Sequence, residues 1–163
     1  MSIEPFTPFA TVNTTTSIDA PRSSVWAVVK AMERWSDFQD NFDIELVDGG
    51  VVELGQQILI TAKFPIGLSQ TTLEEYDEII ERERICWTLR GFQFFGSLTI
   101  DSPPSVLRTA RCIELFDNYN GGTDVHNWIS YAGVGWPAVV LGTGLSTRNL
   151  FNDFNEALAG QFV

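Results

Sequence analysis

Between Asp43 and Tyr131 the chain alternates apolar and polar residues in short runs, and beyond Trp136-Pro137 the period becomes helical. That switch most constrains the fold, because side chains share a strand face every two residues and a helix face every three or four. Residues 44–48 form a short run closed by Gly49-Gly50, and residues 56–64 put Ile58, Ile60, Ala62 and Phe64 on one face before Pro65. Residues 70–80 and 84–90 face each other across Glu81-Arg82-Glu83. Residues 107–116 follow Pro103-Pro104, and residues 123–131 follow Asn120-Gly121-Gly122. Glycine-bearing turns between alternating runs are hairpin signals. Residues 91–102 fit a further strand or an aromatic loop equally well.

Upstream, the β-branched run 11–18 predicts a first strand, and Asp19-Ala20-Pro21-Arg22 predicts a helix start with proline where its missing N–H costs nothing. Val25, Trp26, Val28 and Val29 give that helix its apolar face. A second short helical piece is expected over 32–40, carrying Trp35 and Phe38. The final helix is traced by Val140, Leu141, Leu145, Phe151, Phe154 and Leu158. One strand, two short helices, an antiparallel run and a long helix make a single α+β domain over 1–163.

Charge narrows the partners. Ten Lys and Arg stand against 21 Asp and Glu, a formal net charge of −11 with no basic run. Nucleic acid and anionic membrane surfaces repel such a chain, so neither nucleic-acid binding nor membrane insertion is expected. The N-terminus shows no signal-peptide pattern, and Val134 to Leu145 is too short and glycine-rich to span a bilayer. Cys86 and Cys112 are the only cysteines, and without an export signal they read as reduced thiols in a cytoplasmic protein. No metal cluster, nucleotide loop or Ser–His–Asp set can be assembled, so no cofactor is expected.

Four segments, in order, carry a resemblance: Thr16-Ser17-Ile18-Asp19-Ala20-Pro21 through to Val25-Trp26; Arg84-Ile85-Cys86-Trp87; Gly121-Gly122-Thr123-Asp124-Val125; and Phe151-Asn152-Asp153-Phe154 through to Leu158. Together they resemble the START-like superfamily, which includes Bet v 1-type and polyketide cyclase/dehydrase-type proteins. The resemblance implies a helix-grip fold, in which a curved antiparallel sheet wraps a long C-terminal helix and encloses a cavity. The turn at Val47-Asp48-Gly49-Gly50 is shorter than the glycine-rich loop of the plant Bet v 1 branch. Fold does not settle function, and the superfamily holds carriers, sequestering proteins and enzymes.

Strand parity then selects inward residues, on the orientation the resemblance implies. Thr123, Val125, Asn127, Ile129 and Tyr131 share one face; Glu74 and Tyr76 share another; Arg111 has the parity of Ile113 and Leu115. Tyr76, Arg111, Asn127 and Tyr131 are the candidate catalytic groups, able to donate to or move a proton on a ligand oxygen. Buried charges are paired, which favours for Arg111 an ion pair with Glu74 or another acid, and buried amides are satisfied internally, which favours for Asn127 a structural bond. Candidate ligand contacts are Trp35, Phe38, Phe64, Glu74, Trp87, Val125, Ile129, Trp136, Arg148 and Asn152, with Phe94 and Phe95 near the mouth. His126 falls with Asp124 and Trp128 on the outer face, away from a cavity. There His126 and Trp128 offer a homodimer contact, or the patch of a regulatory interaction domain.

Two functions follow for a cavity of this kind. One is a cofactor-independent enzyme that folds a polyketide- or terpenoid-like metabolite and promotes cyclisation, dehydration or isomerisation. The other is a carrier or sequestering protein for a small lipophilic molecule, which needs only an apolar pocket and a few orienting groups.

Overall fold

The computed structural model describes residues 7–64, 67, 69–94 and 98–163, without the side chains of 94, 136 and 138–145. Eight strands form one antiparallel sheet: β1 Ala10–Ile18, β2 Phe42–Leu46, β3 Gln57–Lys63, β4 Ser69–Ile80, β5 Arg84–Phe94, β6 Leu98–Asp101, β7 Arg108–Asp117 and β8 Thr123–Ala132. Their order is β1-β8-β7-β5-β4-β3-β2, with β6 added to the far half of β5. Between β1 and β2 lie helix α1, Arg22–Lys30, and a 3-10 turn over Met32–Asp37. Helix α2, Trp136–Ala159, follows β8 and packs on the inner face of the curved sheet.

The alternation seen in the sequence sets which face is buried. Val12, Thr14 and Ile18 of β1 and Thr123, Val125, Asn127 and Tyr131 of β8 are buried, with more exposed residues between them on β1. The core gathers where α2 meets the 3-10 turn and the middle strands. Trp35 and Phe154 rings are 4.4 Å apart, and Trp87 stands edge-on to Trp35 at 6.4 Å. On α2, Leu150, Phe154 and Leu158 are four apart and point to this core, whereas Arg148 and Asn152 are exposed. At 100° per residue a helix cannot turn both sets toward the sheet. β8 reaches α2 through Gly133, whose φ is +91° and where a Cβ would lie 2.7 Å from the Val106 carbonyl oxygen. Only glycine satisfies both the left-handed backbone and that approach.

Residues 91–94 continue β5, and 98–101 return beside them as β6. Two register shifts interrupt the β4–β5 ladder, between Leu73 and Glu74 and between Tyr76 and Glu78. The first leaves Arg90 as the extra residue on β5, so that Leu89 and Phe92 both turn inward although three positions separate them. A strict period of two cannot be read through such a bulge.

The cysteines are not free thiols. Cys86 and Cys112 stand directly opposite on β5 and β7 with Cα atoms 4.2 Å apart, and they form a disulfide. The pairing depends on β5 lying beside β7, which spacing along the chain does not disclose. The disulfide removes the support that reduced thiols lent to a cytoplasmic location. Among the described residues no helix is long and apolar enough to cross a membrane.

Candidate functional site

A cavity of about 500 Å³ lies between the inner face of the sheet and α2. Phe42, Ile60, Ala62 and Phe64 of the β2–β3 hairpin region form one wall, and Leu89, Phe92 and Leu107 form another. Ser146, Thr147, Leu150 and Phe151 of α2 close it from the helix side. Three titratable groups enter this apolar space: Glu74 from β4, Arg111 from β7 and Tyr131 from β8.

Arg111 is 4% exposed. Its Cζ lies 4.5 Å from the Phe151 ring centroid, 4.7 Å from that of Phe42 and 5.1 Å from that of Trp87. Cation–π contacts of this kind hold the guanidinium by its faces. Its Nε and Nη2 are buried and have no hydrogen-bond partner. Burial lowers its pKa to about 10, against the raising effect of Glu74, so it remains a cation at neutral pH. The ion pair with Glu74 suggested by strand parity is not closed. The two charges act on one another across the cavity, and Glu74 accepts instead from the Thr72 hydroxyl, at 2.6 Å on Oε1.

Burial drives the Glu74 carboxyl pKa upward, opposed by the Thr72 bond, the Arg111 charge and the Trp87 indole. The Trp87 N–H points toward this carboxyl without closing a full hydrogen bond. Tyr131 is likewise raised by burial, with Thr147 opposing through a hydrogen bond. The cavity thus joins an acid whose proton is held more tightly than in a free carboxyl, a phenol that keeps its own and a cation with unused donors. Such a set can donate to a carbonyl oxygen, stabilise negative charge growing there and deliver a proton.

Five residues singled out from the sequence line the cavity: Phe64, Glu74, Arg111, Ile129 and Tyr131. Tyr76 does not. It is fully buried one step deeper, and its hydroxyl donates to the Met32 sulfur at 2.8 Å. Asn127 also lies outside the lining, between Thr14 and Ile113 on the inner face, and both its amide atoms are buried without a partner. The internal bond expected for it is therefore absent. Trp35 and Val125 belong to the core, Phe38 packs 6.1 Å from Phe154, and Trp87 supports Arg111 from behind. Arg148 and Asn152 face away on α2. The Trp136 and Phe94 side chains and residue Phe95 lie outside the described residues. His126, on the outer face, bonds Glu114 through Nδ1 at 3.2 Å, and Trp128, two residues on, is half-buried.

Sequence reasoning missed the Phe42, Thr72, Leu107, Thr109, Leu150 and Phe151 positions in the lining. Thr72 shares the parity of Glu74, and Thr109 that of Arg111, so the signal was present for both. Phe151 is one helical turn from Thr147, a relation that the helix period alone contains. Among the described residues no group of three or more His, Cys, Asp or Glu could hold a metal ion.

No protein-family model matches the sequence, and no curated protein matches it. Solved structures do match. A protein from Mycobacterium smegmatis is 15% identical, with 94% of this chain and 90% of that one covered, at a TM-score of 0.70. A major latex-like protein from Panax ginseng is 10% identical over 94% of this chain and 97% of its own, at a TM-score of 0.73. A Nitrosospira multiformis protein is 18% identical over the same shares, at 0.68. The chain has the helix-grip fold. This likeness, seen across nearly the whole length of each helix-grip protein, establishes architecture, and the chemistry has to be argued from the cavity itself.

Proposed function

We propose that this helix-grip protein binds a small, largely apolar metabolite of polyketide or terpenoid type and promotes a proton transfer on it without a cofactor, in a cyclisation, dehydration or isomerisation. The observation that carries this reading is a buried carboxyl, its pKa raised by burial, on the same apolar cavity as a guanidinium that closes no ion pair. A carrier can use the guanidinium to orient its ligand, but it has no need of the acid. Glu74 in its ionised form would take the proton α to the ligand's carbonyl, Arg111 would stabilise the enolate oxygen, and Glu74 would then return that proton to another carbon or to a leaving hydroxyl, which departs as water. Tyr131 adds a neutral donor on the β8 side. The apolar walls fold the flexible part of the molecule, and fixing reactive atoms in this way contributes up to ~7–11 kcal/mol in favourable cases.

The test is to extract the small molecules that the purified protein retains from its source organism, identify them by mass spectrometry, and return each to catalytic amounts of protein. Conversion over many turnovers to an isomer or dehydrated product supports the enzyme. In that case Glu74→Gln is expected to lower kcat by ~10²–10⁴-fold and to change KM little, as for loss of an acid–base group. A stoichiometric ligand returned unchanged replaces the enzyme by a carrier.

A further inference from the structure

The Arg111 guanidinium lines the cavity without a closed ion pair. Arg111 is a cation clamped between the Phe42, Trp87 and Phe151 rings, too enclosed to swing its head group into water. Among the described residues no carboxylate forms an ion pair with it, and two of its three nitrogens lack any acceptor. Glu74, the one acid in the same space, is held by Thr72. Buried charges are paired in folded proteins, and aromatic faces offset only part of the hydration that a guanidinium loses. Rings on the faces of a guanidinium leave its edge N–H groups, and the geometry of that edge matches two oxygens on one planar group. Of the neighbouring titratable groups, Tyr131 is a neutral donor, and Glu74 is engaged by the Thr72 hydroxyl rather than by the guanidinium.

We propose that the occupant is an organic anion, an apolar body ending in a carboxylate or an enolised dicarbonyl, and that Arg111 is its counter-ion. The inference rests on the cavity being a ligand site, and it narrows the ligand from any lipophilic molecule to one that carries negative charge.

A matched pair of probes separates the two statements. Dodecanoate and dodecan-1-ol, below their aggregation limits, are titrated calorimetrically into the protein at pH 7.5. The expected result is dodecanoate binding at least 10-fold tighter than the alcohol. Arg111→Met should abolish that preference while the alcohol still binds, and Arg111→Lys, which keeps the charge, should retain most of it. Equal affinities in the wild-type protein, or tighter binding of the alcohol, overturn the anion while leaving the ligand site standing. Binding of neither probe by folded wild-type protein overturns both. The wild-type comparison decides the matter even if Arg111→Met fails to fold.

Discussion

Thr72 and Arg111 both favour the charged form of Glu74, and burial outweighs them, so its pKa stands above its ordinary 4.5. An acid raised on folding makes the native state bind more protons than the unfolded chain at pH values above that ordinary one. Stability therefore falls as pH rises through this window, since its slope follows the protons bound by the unfolded state minus those bound by the native state. Glu74→Gln removes the titration and keeps a hydrogen-bonding group beside Thr72. The variant should unfold at a higher temperature than the wild type at pH 8, with the difference shrinking as pH falls toward 4.5. Thermal melts of both proteins across that range check it. A wild type more stable than the variant at pH 8 would mean that Glu74 is ionised and firmly paired. Tyr76 shows why parity alone misassigns such residues. It shares a face with Glu74, but the Met32 turn covers it, and burial then serves packing rather than access.

At the scale of elements, β5 is the hinge between two neighbours. Its first half, Arg84 to Thr88, pairs with β7, and its second half pairs with β6. The Cys86–Cys112 disulfide sits in the short β5–β7 ladder, beside the opposed pair Trp87 and Arg111. It closes a loop across a sequence separation of 26, and chain entropy gives such a cross-link roughly 3.5 kcal/mol. Cys112→Ser should lower the stability measured by urea unfolding by about 2–4 kcal/mol, and excess reductant should bring the wild type to the same midpoint. A midpoint indifferent to reductant would show that the bond does not form. Most element positions were legible in the sequence, because alternation, glycine turns and Trp136-Pro137 all mark local chemistry. The continuation of β5 and the pairing of the cysteines were not, because a bulge at Arg90 and a neighbour 26 residues away are tertiary facts. In the same way, Glu74, Arg111 and Tyr131 were found by parity, whereas the rings that grip Arg111 come from β2, β5 and α2, and only the folded chain assembles them.

The whole molecule carries 21 acids against 10 bases, and some of its basic residues already serve two acids each. Arg84 contacts both Glu78 and Glu114, and Arg90 contacts both Glu75 and Asp77. The surplus of negative charge consequently has few cations left to meet, and it repels itself across the surface. Self-repulsion of this kind disfavours the compact state, and it acts over a Debye length of about 30 Å at 0.01 M salt, which shortens to about 10 Å at 0.1 M. Salt also weakens the favourable pairs, but exposed pairs contribute only ~0–1 kcal/mol each. With a net charge of −11, the repulsive part should win. Raising sodium chloride from 0.01 to about 0.3 M at pH 8 should therefore raise the melting temperature. The same addition near the sequence isoelectric point of about 4.3 should change it little, because repulsion there has no net charge to act on. A melting temperature that falls with salt at pH 8 would give the shared ion pairs of the outer face more weight than the excess of acids. The same field bears on the cavity. An anionic ligand has to approach a negatively charged protein, so salt should speed its association while Arg111 holds it once inside.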